Sequence, residues 1–528
     1  MKKYVIITII LLAATAYVTV VYFKNLNPPG ARTSQVMHLI PDDACAIFEF
    51  NNDKGFYDIF KGSKLFASVI GAEKMGQLDT LRQALLQNPA LSEFFSGQNI
   101  YISLHTLKNE GFGLLITMSA GIGFDPNIFS GLTKQPHSGL LIKPITEAGK
   151  SGYNIFVGAL KKSFYLIDKG DNIFSGSFSK ELIDQSASHQ NKKGEKNFIQ
   201  LPEQQRNNSL ANLYLNYNRL TPLFDRLFKN RNTDIFRNFK LLNALAALSL
   251  NYRTDAIMFN GSTDVNTGGQ LSYLNLFTDL KPVDTHLDEI FPSTTAYCTA
   301  FSVSDPKKFG ARLTHLQNKN GTSAERDQLF GKIKAETAVD VRSEFNNLLG
   351  NEFAIVTTRY FEKFAIIAVN DGSKLKLAIA ALSTMNDENT GQFNYENLLL
   401  YLLGDAFGAF RKPYFMIIDN YMILANSSTE LTSYYDTYIN RKFLSKNDQY
   451  KQFQNLLAAQ SNVSFFFNFR NAQPIFERDM DGDIYSDFKR FEPGWKNFYG
   501  ASFQFTSVDN NFYTNFSMML NTDTTTTK

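Results

Sequence analysis

Four aspartates near the end of the chain have the spacing of a cation-binding loop. Asp479, Asp481, Asp483 and Asp487 place carboxylates at positions 1, 3, 5 and 9, which suits a hard cation such as Ca²⁺. The loop departs from an EF-hand, because its glycine stands at position 4 and Arg490 stands at position 12, where a glutamate is expected. The sequence therefore predicts either a calcium loop or an Asx-rich loop that opens a helix.

Sequence patterns for other chemistries do not occur in this chain. The six histidines show no paired spacing of metal ligands, and there is no Gly-x-Ser-x-Gly elbow or Gly-Lys-Ser/Thr phosphate loop. The two cysteines, Cys45 and Cys298, form no Cys-x-x-Cys motif and are interpreted as small buried hydrophobic residues. We therefore expect no catalytic residue and no cofactor other than Ca²⁺ at the aspartate loop.

Three acidic positions recur in the two halves of the chain, and each has a structural explanation. One pair lies at a tight turn, one in the first turn of a helix, and one on a short helix before a glycine. The pairs are Asp168 and Asp419, Glu181 and Glu430, and Glu93 and Glu344.

The elements that position these residues are written twice in the sequence. Residues 41–50 return loosely as residues 292–301, and residues 92–94 return as residues 343–345, both at an offset of 251. Residues 164–168 return as residues 415–419 at the same offset. A period of this length is far too long for a solenoid unit, so it indicates two copies of a whole domain.

Within each copy, predicted strands outnumber predicted helices and are mostly joined by short turns, which favours antiparallel pairing. In copy one, residues 98–105 and 111–119 predict a hairpin, and Asp125 followed by Pro126 predicts the start of a helix. The predicted fold class is α+β, with an N-terminal transmembrane helix followed by two homologous antiparallel-sheet-rich domains. The predicted divisions are a cytoplasmic stub and anchor at 1–24, a stalk at 25–35, copy one at 36–268, a linker or extra strand at 269–290, copy two at 291–521 and a disordered tail at 522–528.

The N-terminus predicts attachment to a membrane. Residues 4–23, from Tyr4 to Phe23, carry no charge and are long enough as a helix to span the hydrocarbon core. The alternative is a cleaved signal peptide, for which Ala14 and Ala16 offer a small-residue site. Apolar sequence continues past that site, which favours an uncleaved single-pass anchor. We expect the bulk of the chain outside the cytoplasm.

Composition limits the classes of partner. The 53 basic and 50 acidic residues give a net charge of +3, so no basic stripe predicts a nucleic-acid partner. The 48 phenylalanines and 24 tyrosines favour a globular, sheet-rich protein.

The opening of copy one resembles a known group of proteins. Residues 39–50 read Leu-Ile-Pro-Asp-Asp-Ala, three further residues, and then Phe48 and Phe50 on either side of Glu49. This motif, following a membrane anchor, resembles uncharacterised membrane-anchored bacterial envelope proteins that form a family of unknown function. The resemblance implies an extracytoplasmic, periplasmic protein held in the bacterial inner membrane, and it implies no catalytic residue.

The sequence leaves three kinds of function open. We favour a binding or scaffold protein of the envelope with a protein or lipid partner. A hydrolase-type enzyme with a site between the copies is the first alternative, and it should show polar residues unique to one copy. A lipid-binding carrier is the second, and it needs a continuous apolar cavity within one copy. A binding protein should instead expose an aromatic or apolar patch.

Overall fold

The computed structural model describes residues 33–61, 63–108, 111–132, 139–190, 197–201, 208–229, 242–265, 271–490, 494 and 496–521. The predicted anchor at 4–23, almost all of the stalk and the tail at 522–528 lie outside these residues. No helix within the described ranges is long and apolar enough to cross a membrane. The chain divides into a first unit (Met1–Gly62, Glu73–Lys196 and Gln200–Asn212) and a second unit (Ser63–Ala72, Asn197–Ile199 and Leu213–Lys528).

Helices and strands alternate along both units. The strands are β1 (Ala46–Asn51), β2 (Asn99–Thr106), β3 (Phe112–Ser119), β4 (Leu140–Glu147), β5 (Lys150–Val157), β6 (Lys162–Gly170), β7 (Ile173–Ser177), β8 (Ala211–Asn216), β9 (Leu245–Tyr252), β10 (Ala256–Asp264), β11 (Val283–Asp284), β12 (Thr295–Ser302), β13 (Leu349–Thr358), β14 (Lys363–Val369), β15 (Ser383–Met385), β16 (Thr390–Phe393), β17 (Tyr414–Ile418), β18 (Tyr421–Ala425), β19 (Gln460–Ser461), β20 (Val463–Asn468), β21 (Phe498–Val508) and β22 (Asn511–Leu520). The helices are α1 (Thr33–His38), α2 (Lys54–Lys61), α3 (Lys64–Ile70), α4 (Ala72–Leu81), α5 (Pro89–Phe95), α6 (Ile128–Leu132), α7 (Lys180–Ser188), α8 (Leu220–Leu227), α9 (Pro306–Lys319), α10 (Ser323–Thr337), α11 (Val341–Leu348), α12 (Gly372–Ala380), α13 (Leu398–Leu403), α14 (Ser428–Ile439), α15 (Asp448–Gln454), α16 (Phe469–Asp479) and α17 (Gly482–Arg490).

Local sequence explains where several helices begin. Asp305 precedes Pro306, and its carboxylate accepts a hydrogen bond from the Lys308 N–H, so α9 begins there. The Ser427 hydroxyl and the Glu430 carboxylate form a reciprocal capping box at the start of α14.

Strands β1 to β7 of the first unit pair antiparallel. The order is β1, β2, β3, β7, β6, β5, β4. Helix α7 covers one face, where Leu182 and Ile183 pack against Leu115 and Ile167.

The sheet of the second unit is longer and also antiparallel. Its order is β9, β10, β22, β21, β20, β12, β13, β14, β18, β17, β16, β15. Successive residues of β13 face opposite sides, so Phe353 enters one core cluster and Ala354 enters another. The prediction of a mixed helix and strand fold with antiparallel pairing is therefore confirmed.

Strand register relates the first unit to the second. Ile102 pairs with Ile116 in the β2–β3 hairpin, and Phe353 pairs with Ile367 in the β13–β14 hairpin. Each residue of the second pair lies 251 positions after its counterpart (353 minus 102, 367 minus 116), which is the offset found in the sequence.

A local two-fold relation joins two hairpins of the second unit. Residues 253–255 connect β9 to β10 and residues 509–510 connect β21 to β22, and the registers of the two hairpins match at a separation of 255 residues. Strand β10 pairs with β22 so that Asn260 lies opposite Asn515, which is the same separation (515 minus 260). The two hairpins are therefore related by a local axis that passes between these two asparagines.

The segment predicted as a linker or extra strand contains two short helices where it is described. Residues 273–277 and 287–290 form short 3₁₀ helices, and only the two residues of β11 are extended and paired, with β19.

Candidate binding face

The predicted calcium loop lies at the junction of α16 and α17. Asp479 ends α16, and its carboxylate accepts hydrogen bonds from the Arg478 guanidinium at 2.5 and 2.9 Å. The Asp481 carboxylate accepts from the Asp483 N–H at 3.1 Å, the contact of an Asx-type loop that opens a helix. Asp487 lies in α17, and its side chain is outside what the structure describes.

The described aspartates of this loop make local contacts. Among the described His, Cys, Asp and Glu side chains, no group of three is placed to hold a metal ion. The calcium loop stays a prediction. Its counterpart in copy one, residues 230–238, lies outside the described residues.

A serine, a histidine and an aspartate form a hydrogen-bonded chain in the first unit. The Ser103 hydroxyl lies 2.8 Å from His105 Nε2, and His105 Nδ1 lies 2.9 Å from the Asp43 carboxylate. Ser103 and His105 are two positions apart on β2, so their side chains share one face of the strand. Asp43 lies just before β1, which pairs with β2. This connectivity is that of a hydrolytic triad.

The burial of Ser103 and His105 keeps the Ser103 hydroxyl from acting as a nucleophile in the observed conformation. Ser103 and His105 are both 0% exposed, whereas the Asp43 side chain is 41% exposed. The Ser103 hydroxyl also contacts the Leu115 carbonyl at 3.3 Å. A substrate carbonyl cannot reach the buried Ser103 hydroxyl in this conformation. The three side chains here satisfy one another's hydrogen bonds in the protein interior.

The hydrogen-bonded serine, histidine and aspartate occur in copy one only. At the offset of 251, the positions of Asp43, Ser103 and His105 correspond to Thr294, Ala354 and Val356. Ala354 and Val356 belong to an apolar core cluster. Histidine spacing gives no indication of this constellation, because Asp43 reaches His105 only through the pairing of β1 with β2. The available signal was a serine and a histidine two residues apart on a predicted strand that has an apolar counterpart.

Each unit also buries a carboxylate within its sheet. Glu49 on β1 lies opposite Tyr101, and its carboxylate accepts hydrogen bonds from the Tyr101 hydroxyl at 2.8 Å and the Asn99 amide at 2.7 Å. In the second unit, Ser302 lies opposite Glu352. At the offset of 251, Glu352 corresponds to Tyr101, whereas its facing residue Ser302 corresponds to Asn51 rather than to Glu49.

Two carboxyls of the second unit have raised pKa values. Burial raises the pKa of Glu352, and hydrogen bonds from the backbone N–H groups of His286 and Leu287 partly offset that rise. Burial likewise raises the pKa of Asp288, against hydrogen bonds from the Tyr450 hydroxyl at 2.9 Å and the Gln454 amide at 2.6 Å. These contacts join the 3₁₀ helix at 287–290 to α15 and to the sheet.

Three of the recurring acidic residues accept hydrogen bonds that fix their position. Asp168 accepts a hydrogen bond from the Gly170 N–H at 2.8 Å, as predicted for a turn aspartate. Glu181 accepts from the Lys108 N–H at 3.0 Å. Asp419 has a φ of +50° at the β17–β18 turn and accepts from the Tyr438 hydroxyl at 2.7 Å.

The two cysteines are buried and unbonded to each other. Cys45 is 0% exposed and Cys298 is 3% exposed, and both are free thiols. Burial raises the pKa of the Cys45 thiol to about 12, which keeps it protonated and unreactive at neutral pH. The interpretation of both as small buried hydrophobic residues is confirmed.

A row of four phenylalanines crosses the sheet of the second unit. Phe259 on β10 lies opposite Phe516 on β22, Phe516 opposite Phe503 on β21, and Phe503 opposite Phe465 on β20. The ring centroids of Phe259 and Phe516 are 6.2 Å apart, and those of Phe503 and Phe516 are 5.7 Å apart. We call these four residues the aromatic row. All four are half-buried among the described residues.

The aromatic row lies between two buried clusters on the same face of the sheet. At one end, Phe467 packs against Phe476 of α16 with ring centroids 5.2 Å apart. On the other side of the row, Phe505 and Phe301 are buried in a second core cluster. Phe259 and Phe503 pack against one of these clusters and Phe465 against the other, and each ring of the row keeps part of its surface exposed.

A small cavity opens beside this row. Its volume is about 40 Å³, and its lining includes Phe465 with Thr299, Phe301, Val463 and Phe505. A space of this size is enough for a few water molecules. A second apolar cavity of about 30 Å³ lies among Val341, Phe345, Leu375 and Leu399.

Comparison with protein-family models, with curated proteins and with solved structures found no match to this chain. Function is therefore inferred from the chain's own residues.

Proposed function

We propose that this chain is a binding or scaffold protein of the bacterial envelope. It is held in the inner membrane by a single helix over residues 4–23, with two homologous α+β domains on the periplasmic side. The register relation at 251 residues supports the duplication, and the charge-free N-terminal run supports the anchor.

The aromatic row is the observation that carries the binding proposal. Aromatic side chains are enriched in protein interfaces, because a ring provides a large contact area with few rotatable bonds. Four half-buried rings in register across four strands offer a continuous apolar band rather than isolated exposed residues. The partner we propose is a protein segment that presents apolar side chains to this band.

A protein partner fits this face better than a lipid chain. A cavity of about 40 Å³ does not accommodate an acyl chain of many methylene groups. The lipid-binding carrier stays an alternative, and it would require the described cavity to enlarge.

A hydrolase-type enzyme is the second candidate, and the Ser103, His105 and Asp43 chain favours it. These three residues are unique to copy one, as expected for a catalytic site that arose after duplication. Their burial requires an opening movement before substrate binding. A fluorophosphonate probe tests this directly, since it labels an activated serine; labelling that is lost in Ser103→Ala would favour the enzyme.

Site-specific photo-crosslinking tests the binding proposal. Benzoylphenylalanine is placed at Phe516, in the aromatic row, and at Tyr513, which lies on the opposite face of β22 and is 47% exposed. The full chain is irradiated in native membranes. We expect a discrete protein adduct from position 516 that is absent from position 513 and is lost when Phe259→Ser is added.

Three outcomes of this experiment argue against the proposal. Equal adducts from both positions would indicate non-specific proximity. An adduct with lipid alone at 516 would favour the carrier. The absence of an adduct at both positions would refute the binding role of the aromatic row.

A further inference from the structure

The hairpin between β13 and β14 ends in two exposed aromatic residues. Tyr360 is 64% exposed and Phe361 is 38% exposed. The hairpin is held closed by a hydrogen bond from the Thr358 N–H to the Glu362 carbonyl at 3.0 Å and one from the Phe361 N–H to the Thr358 carbonyl at 3.0 Å. The Arg359 N–H donates to the Thr294 carbonyl at 2.9 Å, which ties the turn to the chain segment before β12. Tyr360 and Phe361 are therefore presented by a rigid support.

Phe361 occupies a backbone position that suits a different residue. Its φ is +68°, in the left-handed region that glycine and asparagine adopt readily. A large side chain in this region is strained, and such strain is retained mainly where the residue has a function. The loop itself gives no reason for a phenylalanine here.

Each of these two rings has an arginine guanidinium next to it. The Arg478 guanidinium lies 4.0 Å from the centroid of the Phe361 ring, and that of Arg359 lies 5.6 Å from the Tyr360 ring. The Glu362 carboxylate accepts a hydrogen bond from the Thr358 hydroxyl at 2.8 Å. The Asp479 carboxylate is neutralised by Arg478. The tip therefore combines ring surface with the positive charge of Arg359, because the charge of Arg478 is balanced by Asp479.

We propose that this hairpin tip, residues 359–361, rests on an anionic lipid surface. Aromatic side chains concentrate at the boundary between lipid headgroups and hydrocarbon, and basic side chains are attracted to anionic headgroups. The tip is distinct from the aromatic row and adds a second membrane contact to the anchor. It deepens the proposed function, since it rests on the chain being held at a membrane.

Tryptophan quenching by brominated lipid tests the contact in the full chain. Tyr360→Trp and the control Tyr513→Trp are each reconstituted in vesicles of phosphatidylethanolamine and phosphatidylglycerol with brominated acyl chains. The wild-type chain, whose one tryptophan is Trp495, supplies the background. We expect quenching at position 360 above that background and none at position 513. Replacing phosphatidylglycerol by phosphatidylcholine should lower association of the tip about fivefold for each basic residue involved.

Two further variants separate specific contact from misfolding. Phe361→Asn relieves the left-handed backbone and keeps the turn, and it should remove most of the quenching at position 360. Arg359→Gln should make the remaining quenching insensitive to lipid charge. Equal quenching at 360 and 513, or quenching at neither, would overturn the proposal.

Anchorage is measured separately in the same vesicles by extraction at alkaline pH. A chain that is extracted yet still shows quenching at position 360 contradicts the anchor and keeps the tip contact. A chain that resists extraction without such quenching keeps the anchor and refutes the tip contact.

Discussion

The Ser103, His105 and Asp43 chain gives the sharpest test of how the first unit is built. Ser103→Ala leaves His105 Nε2 buried without its partner, and His105→Val leaves the Ser103 hydroxyl with only the long contact to the Leu115 carbonyl. An unsatisfied buried polar group costs about 1 to 3 kcal/mol. We expect about 2 kcal/mol of destabilisation for the first variant and about 3 kcal/mol for the second, which also loses ring volume.

The double variant carries the residues found at the equivalent positions of copy two. Replacing both partners removes the hydrogen bond without leaving either group unsatisfied, so the double variant should also cost only about 3 kcal/mol. The expected coupling between the two sites is therefore about 2 kcal/mol. Hydrogen exchange of peptides from β2 and β3, followed by mass spectrometry, measures the free energy of opening in this region.

A control and a refuting result complete this test. Ser188→Ala, on the exposed end of α7, should change that free energy by less than about 0.5 kcal/mol. Additive costs in the double variant would show that Ser103 and His105 do not act as one unit. The same outcome would weaken the hydrolase alternative, which needs the two groups to share a proton.

Three further predictions concern the second unit. Gly261→Ala places a Cβ 2.1 Å from the Ala247 carbonyl oxygen, so we expect about 3 kcal/mol of destabilisation in urea unfolding, whereas Gly76→Ala, in the open on α4, should stabilise by about 0.5 to 1 kcal/mol. Similar effects of the two would refute the strand register. Because burial raises the folded-state pKa of Asp288 and Glu352, the folded state takes up their protons more readily than the unfolded state, so the unit should gain stability as the pH falls from neutral through those raised pKa values. Asp288→Asn should flatten the dependence of the urea midpoint on pH, and an unchanged slope would contradict the assignment. If the aspartate loop binds Ca²⁺, EDTA should lower the melting temperature of the wild-type chain but not of Asp481→Asn, and no effect of EDTA on either would end the calcium prediction.

The sequence predicted much of the strand architecture because its signals are local. Alternation and turn residues placed β2 at 98–105 and β3 at 111–119, against observed bounds of Asn99–Thr106 and Phe112–Ser119. The helix expected to follow Asp125 and Pro126 is present as α6. Such elements are determined by neighbouring residues, so they can be read from one segment of the chain.

Features that depend on distant segments were not predicted. The aromatic row requires the registers of four strands, one of which lies about two hundred residues before the others in the chain. The contact between Asp43 and His105 joins residues 62 positions apart. Phe361 gave no sequence signal, because a left-handed backbone is expected at glycine or asparagine rather than at a large aromatic residue.

The pairing of β10 with β22 can form only late in synthesis. Strand β10 ends at Asp264, while its partner β22 begins only at Asn511, and one edge of the β9–β10 hairpin is completed by that partner. At typical elongation rates the interval between them is on the order of ten to fifty seconds. During that time the edge of β10 that carries Ile257, Met258 and Phe259 has no β22 to pair with. Premature termination anywhere before β22 thus releases a chain with an open, apolar edge, which is a target for chaperones and proteases.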